Sequence, residues 1–156
     1  MERTMDALLD RYFDTWLGMD AVYEKWAAHR GVTFNMLGVF DLLHRQGGVL
    51  PQAELCRRLH LSKQTVASVV DSLEKRGLAL RRASETDRRT REVCLTGEGR
   101  AAARALSEAL RRFERRAFAM LPPEEQHALV EASCRLQQSM AAALEEELAA
   151  DAAPSF

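Results

Sequence analysis

Residues 61–99 read LSKQTVASVVDSLEKRGLALRRASETDRRTREVCLTGEG, and the order of local signals in this stretch decides the fold. Ser62 is a residue type that caps helix N-termini. Behind it, Val66, Val69, Val70 and Leu73 recur at i, i+3, i+4 and i+7, the stripe of an amphipathic helix. Gly77 supplies the stop. The face opposite the valines presents Gln64, Ser68, Ser72 and Lys75, with Lys63 near the start: short polar groups where a solvated helix usually carries long charges. LALRRA and REVCL then alternate as strands do, and the polar SETDRRT between them makes a hairpin. Thr96 closes the second strand and is placed to cap a further helix.

On the N-terminal side, AELCRRLH after Pro51 makes a short helix that buries Leu55 and Leu59 and meets the Ser62 helix across a tight turn. An extended hairpin directly after such a helix-turn-helix is a wing. Further upstream, Thr33 caps a helix with apolar positions Met36, Leu37, Phe40 and Leu43 that ends before Gly47 and Gly48, leaving GVL room for a stub of strand. From Asp6 to Trp26, Leu9, Tyr12, Phe13, Trp16, Tyr23 and Trp26 fall at near-helical spacing, and Gly31 ends that helix. On the C-terminal side a helix from about Glu98 to Met120 carries Ala102, Leu106, Leu110, Phe113 and Ala117. Pro122 and Pro123 break it, and the last helix carries Leu129, Leu136, Met140, Leu144 and Leu148. The expectation is a mainly α fold: a winged helix-turn-helix core (33–96) with a small β-hairpin wing, flanked by N- and C-terminal dimerisation helices (1–30 and 98–150), in a single domain over 1–156.

The terminal helices need somewhere to bury their stripes. One intramolecular bundle would serve; interleaving with a second copy into a two-fold homodimer is the favoured reading. Glu145, Glu146 and Glu147 lie near a helix C-terminus, where the macrodipole disfavours negative charge, and Arg111, Arg112, Arg115 and Arg116 could answer them within the chain or across the dimer.

At 156 residues the chain can bury a core without a metal or disulfide staple. It has no apolar run near the roughly 20 residues that span a bilayer, and MERTMDALLD lacks the layout of a secretory signal, so a cytoplasmic protein is expected. Cys56, Cys94 and Cys134 are odd in number and far apart, and read as small buried apolar residues; Cys56, beside Arg57, Arg58 and His60, is the one candidate for reactivity. Cys56 and His60 at i and i+4 are one potential ligand pair, but His29, His44 and His127 show no ligand-rich spacing with them, so no metal and no cofactor is expected. Ser68 and Ser72 have no histidine at triad spacing, no G-x-S-x-G elbow occurs, and the glycines form no phosphate loop, which argues against an enzyme. The net charge of −1 hides a segregation. Residues 56–91 hold ten bases against four acids, a net of +6, which leaves −7 elsewhere. A basic block in an acidic chain suits a polyanion.

Taken together, the recognition-helix pattern, the "LE-x-x-G-L" turn (Leu73 to Leu78), the D-x-R wing (Asp87 to Arg89) and the "LT-x-x-G" run (Leu95 to Gly99) resemble the multiple-antibiotic-resistance regulator (MarR) family of winged-helix transcription factors. The resemblance implies a homodimer on pseudo-palindromic double-stranded DNA, often a repressor, often released by a small aromatic effector. It places DNA contacts at Ser62, Lys63, Gln64, Thr65 and Ser68 on the recognition helix and at Asp87, Arg88, Arg89 and Arg91 in the wing. In that wing Asp87 would hold the guanidinium of Arg89 and so aim it. Ala67, Ser68 and Ser72 stand where the family often has larger polar or basic side chains, so contacts to phosphates and DNA shape gain weight. Oxidant-sensing members use a cysteine in the first helix, which has none here. The family's effector pocket, between dimerisation helices and winged helix, maps to Trp16, Tyr23, Trp26, Met36 and Phe40, residues whose other reading is simply core. A winged helix used for protein contacts is the rival function, and it would not need the basic block.

Overall fold

Three hydroxyl side chains start three helices. In the computed structural model, which describes residues 2–84 and 89–151, Thr33 Oγ1 accepts from Met36 N at 3.1 Å, Ser62 Oγ from Thr65 N at 3.0 Å and Thr96 Oγ1 from Gly99 N at 3.0 Å. Each accepts from a donor that the first helical turn leaves unpaired. Thr33 opens α2 (Phe34–Arg45), Ser62 opens α4 (Lys63–Lys75) and Thr96 opens α5 (Gly97–Phe118). The chain begins with α1 (Glu2–Ala28), two residues longer than expected at its C-terminal end and four at its start. Between α2 and α4 lie β1 (Val49–Pro51) and α3 (Gln52–Leu59); β2 (Ala79–Ala83) and β3 (Arg91–Leu95) follow α4, and α6 (Pro123–Asp151) ends the described chain.

The strands form one antiparallel sheet in the order β1-β3-β2. Gly47 and Gly48, at φ 75° and 86°, turn the chain from α2 into β1, a conformation that costs an L side chain energy. Gly77, at φ 69°, does the same between α4 and β2. The stub of strand read from GVL is therefore real, and it gives the wing hairpin a third strand to lean on: Leu50 pairs with Val93 on one side while Arg81 pairs with Val93 on the other.

Val66, Val69, Val70 and Leu73 bury the inner face of α4 against Val39, Phe40 and Leu43 of α2, Leu55 of α3, and Ala79, Val93 and Leu95 of the sheet. Each fully buried Phe or Leu contributes about 1.5–3 kcal/mol, so the four largest, Phe40, Leu43, Leu55 and Leu73, fix the position of α4 firmly. Leu59, expected in the core, is only half-buried at its edge. The recognition helix is thus seated by tertiary packing, with its polar side left outward.

The chain divides into two compact units, Met1–Ala109 and Leu110–Phe156, with the division inside α5. The first holds the entire winged helix-turn-helix. In it α1 leaves Met5, Leu8, Tyr12, Phe13, Trp16, Leu17 and further large apolar side chains about half exposed, and of its expected stripe only Trp26 is buried. In the second unit α6 buries no side chain, and all five members of its stripe are exposed. Arg111 pairs with Glu114 at 3.1 Å rather than with the glutamates near the end of α6. The cysteines differ from expectation: Cys94 is buried in β3 and Cys56 half-buried, but Cys134 is exposed on α6, where the helix has nothing to cover it.

Candidate nucleic-acid interface

One turn of α4 advances by 3.6 residues, so Gln64, Ser68, Asp71 and Lys75, at i, i+4, i+7 and i+11, form a single ridge, and all four are exposed. Lys63 is exposed beside its N-terminal end. Ser62 and Thr65, both proposed as contacts from the sequence, engage each other: their hydroxyls lie 2.8 Å apart while Ser62 also caps the helix. Their first task is to fix the helix start, which leaves Lys63, Gln64 and Ser68 as the side chains of that group turned outward.

The basic block is less available than its count suggests. Arg57 donates from Nε and Nη2 to the two carboxylate oxygens of Glu54, at 2.9 and 2.6 Å, and Arg58 lies 3.9 Å from the same group. Hydrogen bonding from Arg57 is the main reason the Glu54 carboxyl is held below its ordinary range, and the same bond raises the guanidinium of Arg57. Arg82 on β2 faces Glu92 directly across the ladder and pairs with it at 3.2 Å. Arg76, although exposed, is engaged with its own chain, with Nη1 3.4 Å from Gly31 O and 3.3 Å from Met36 Sδ. Arg81 is held by acids of α4. Among the described residues of the block, Lys63, Lys75, Arg76 and Arg91 enter no ion pair, and of these Arg76 is engaged with Gly31 and Met36.

At the hairpin, Ser84 N donates to Thr90 O at 2.9 Å and closes the strands around the tip. Arg89 is exposed in the turn, and Arg91 is exposed at the start of β3 opposite Ala83. Asp87 and Arg88 lie outside the described residues, and with them the proposed Asp87–Arg89 pair. Residues that sequence reasoning did not assign to the site are Asp71, Glu74 and Arg81. The signal was present, since Asp71 falls at i+7 from Gln64 on the same ridge.

The five proposed effector residues are not gathered into one lining within the chain. Trp16 is about half exposed on α1, its ring 6.1 Å from that of Phe13, and ten residues of helix, about 15 Å, separate it from Trp26. Tyr23 packs its ring 5.9 Å from Phe34, and Trp26 is buried with the Arg30 guanidinium 3.8 Å over its ring. Met36 and Phe40 are core residues. Phe40 nevertheless reaches a cleft of about 290 Å³, which Arg30, Val32, Arg76, Leu78, Ala102 and Leu106 also line. Among the described residues no three His, Cys, Asp or Glu side chains come together as a metal-ligand set, and no helix is long and apolar enough to cross a membrane.

Comparison with known proteins agrees with this architecture. Residues 30–90 match the model of the MarR family. A MarR family regulator from Neisseria meningitidis superposes with a TM-score of 0.74 at 27% identity, covering 90% of this chain and 98% of the other. A probable transcriptional regulator from Pseudomonas aeruginosa gives 0.70 at 29% identity over 85% of this chain and 98% of its own. MepR of S. aureus, solved as a complex with DNA, shares the fold at 0.69 and 20% identity, covering 87% of this chain and 96% of that one. No curated protein matches the sequence.

Proposed function

We propose, from the match of residues 30–90 to the model of the MarR family and from the winged helix-turn-helix that the chain forms, that this protein is a sequence-specific DNA-binding transcriptional regulator, a homodimer acting as a ligand-responsive repressor on a pseudo-palindromic operator. The observation that carries this reading is the outward ridge of α4. A helix locked to the core by four buried apolar residues presents Lys63, Gln64 and Ser68 outward at its N-terminal end, the end that enters the major groove in such motifs. Gln64 has the amide pair that matches adenine, Lys63 reaches guanine or phosphate, and Ser68 serves either. Arg89 and Arg91 on the hairpin supply positive charge to a flanking minor groove. That a protein of the same fold is solved with DNA supports the docking mode.

The effector belongs in the Phe40 cleft, whose apolar walls and two arginines, Arg30 and Arg76, suit a small aromatic compound bearing an acidic group. Work in the cytoplasm follows from that role.

The test is selection of duplexes from a random pool by the purified protein, followed by titration of the selected duplex against salt. Specific binding gives an enriched palindromic sequence and a log–log salt slope of about −0.9 per phosphate neutralised. Lys63→Ala and Arg89→Ala each weaken it. No enrichment and a flat slope would instead make the winged helix a protein-contact module.

A further inference from the structure

The DNA-facing ridge of α4 contains an acid. Asp71 shares its line with Gln64, Ser68 and Lys75, its side chain is 57% exposed, and Glu74 flanks it one turn of the backbone away. A carboxylate on a surface that meets phosphates is repelled by them, and like-charge juxtaposition is among the costlier errors at an interface. What offsets it lies on β2. The Arg81 guanidinium reaches Asp71 Oδ1 at 2.7 Å and also contacts Glu74; its Nη2 donates to Ala67 O at 3.0 Å and its Nε to Gln52 Oε1 at 3.3 Å. The Arg81 backbone N–H donates to Glu74 Oε1 at 2.7 Å. One side chain therefore ties the wing strand to both helices of the helix-turn-helix, and its partners on α4 run from the middle of the helix to its last turn.

We propose that Arg81 is a positioning residue for DNA recognition: it masks Asp71 on the reading ridge and fixes the angle at which the wing leaves the recognition helix. The planar fork of arginine is required for this, because it bonds two carboxylates and a carbonyl at once; a lysine ammonium at the same place meets one or two of them. Arg81 itself is only 24% exposed and is occupied by protein acceptors, so it acts through Asp71 and α4 rather than by touching DNA. The inference rests on the DNA-binding reading above.

A double-mutant cycle on the full-length protein, read as affinity for the duplex selected by the wild type, tests it. Asp71→Asn alone raises affinity, by no more than about twofold, since one guanidinium shared between two carboxylates already offsets part of the acid it removes. Arg81→Gln lowers affinity about tenfold or more, as unmasked like charge at an interface does. Adding Asp71→Asn to Arg81→Gln recovers at least about threefold of that loss. Arg81→Lys, which keeps the charge and loses the fork, falls between wild type and Arg81→Gln. A role confined to stability would lower the melting temperature of Arg81→Gln without making DNA affinity of the folded protein depend on residue 71. Equal affinity of Arg81→Gln and wild type, or no recovery in the double variant, overturns the proposal. Failure of the wild type to select any duplex overturns the DNA-binding reading instead.

Discussion

Glu54 shows how a single side chain sets the charge that a surface has available. It accepts from Arg57 at both oxygens and draws Arg58 close, so two cations on the first helix of the helix-turn-helix are spent on one acid. Glu54→Gln is expected to raise DNA affinity about two- to threefold and steepen the salt slope by up to about one phosphate, as fluorescence titration at several salt concentrations would read. Since the Glu54 carboxyl is depressed in the folded protein, its pairing persists above the ordinary carboxylate range and is lost only as pH falls through the lowered value. Between about pH 5 and 8 this pair should therefore contribute no change in DNA affinity, and a titration across that window checks it. Gly99 is a second residue-scale case, and it explains the last glycine of the "LT-x-x-G" run. A Cβ there would sit 1.7 Å from the carbonyl oxygen of Leu78, which already accepts from Thr96 N at 3.1 Å. Backbone cannot yield as a side chain can. Gly99→Ala should cost about 2 kcal/mol or more in urea unfolding, and a variant as stable as wild type would mean the Thr96–Leu78 junction is looser than described.

At the scale of elements, helix starts and stops were legible because they are local. Thr33, Ser62 and Thr96 bond donors three residues on, and Gly31, Gly47 and Gly77 take left-handed conformations that only the identity of one residue decides. The valine stripe of α4 was legible for the same reason, since its period is a property of the helix itself. The use of the arginines was not. Arg81 finds partners 7, 14 and 29 residues away, and Arg82 finds Glu92 only because the hairpin register sets them opposite. A charge sum treats these as free, and strand pairing decides otherwise. The cap on α4 is the element-scale test. Ser62→Ala should cost about 1 kcal/mol of stability by denaturant unfolding. It should also weaken DNA binding more than that loss requires, because the first turn carrying Lys63 and Gln64 frays. Asp at 62 keeps the cap, so Ser62→Asp should restore stability while leaving affinity low through its charge; recovery of both would remove Ser62 from the interface.

At the scale of the whole molecule, the two units leave the same kind of debt in different helices. In α1 the apolar residues from Met5 to Val22 are about half exposed, and in α6 those from Leu129 to Leu148 are too. Scattered apolar residues on a surface are ordinary, but two long helices with continuous uncovered stripes are the mark of an interface. Under the proposed function the partner is a second copy, and a two-fold pairing would set the two α4 ridges to read half-sites about 10 base pairs apart, as two-fold helix-turn-helix dimers do. Trp16 does not line the Phe40 cleft, so under the proposed homodimer it would meet an effector there only if packing between copies brought it in. An acid placed in either stripe tests this directly. Trp16→Asp and Leu136→Asp should each give a monomer by light scattering at about 10 µM with unchanged helical content, because the buried winged-helix core includes neither residue. Their affinity for a full palindrome should drop about 100-fold or more through loss of the second, now independent, binding event. Affinity for an isolated half-site should stay within about twofold of wild type, since Lys63, Gln64 and Ser68 remain in place. A variant that stays dimeric, or a monomer that keeps full affinity for the palindrome, would mean that the paired ridges are held together by some other surface.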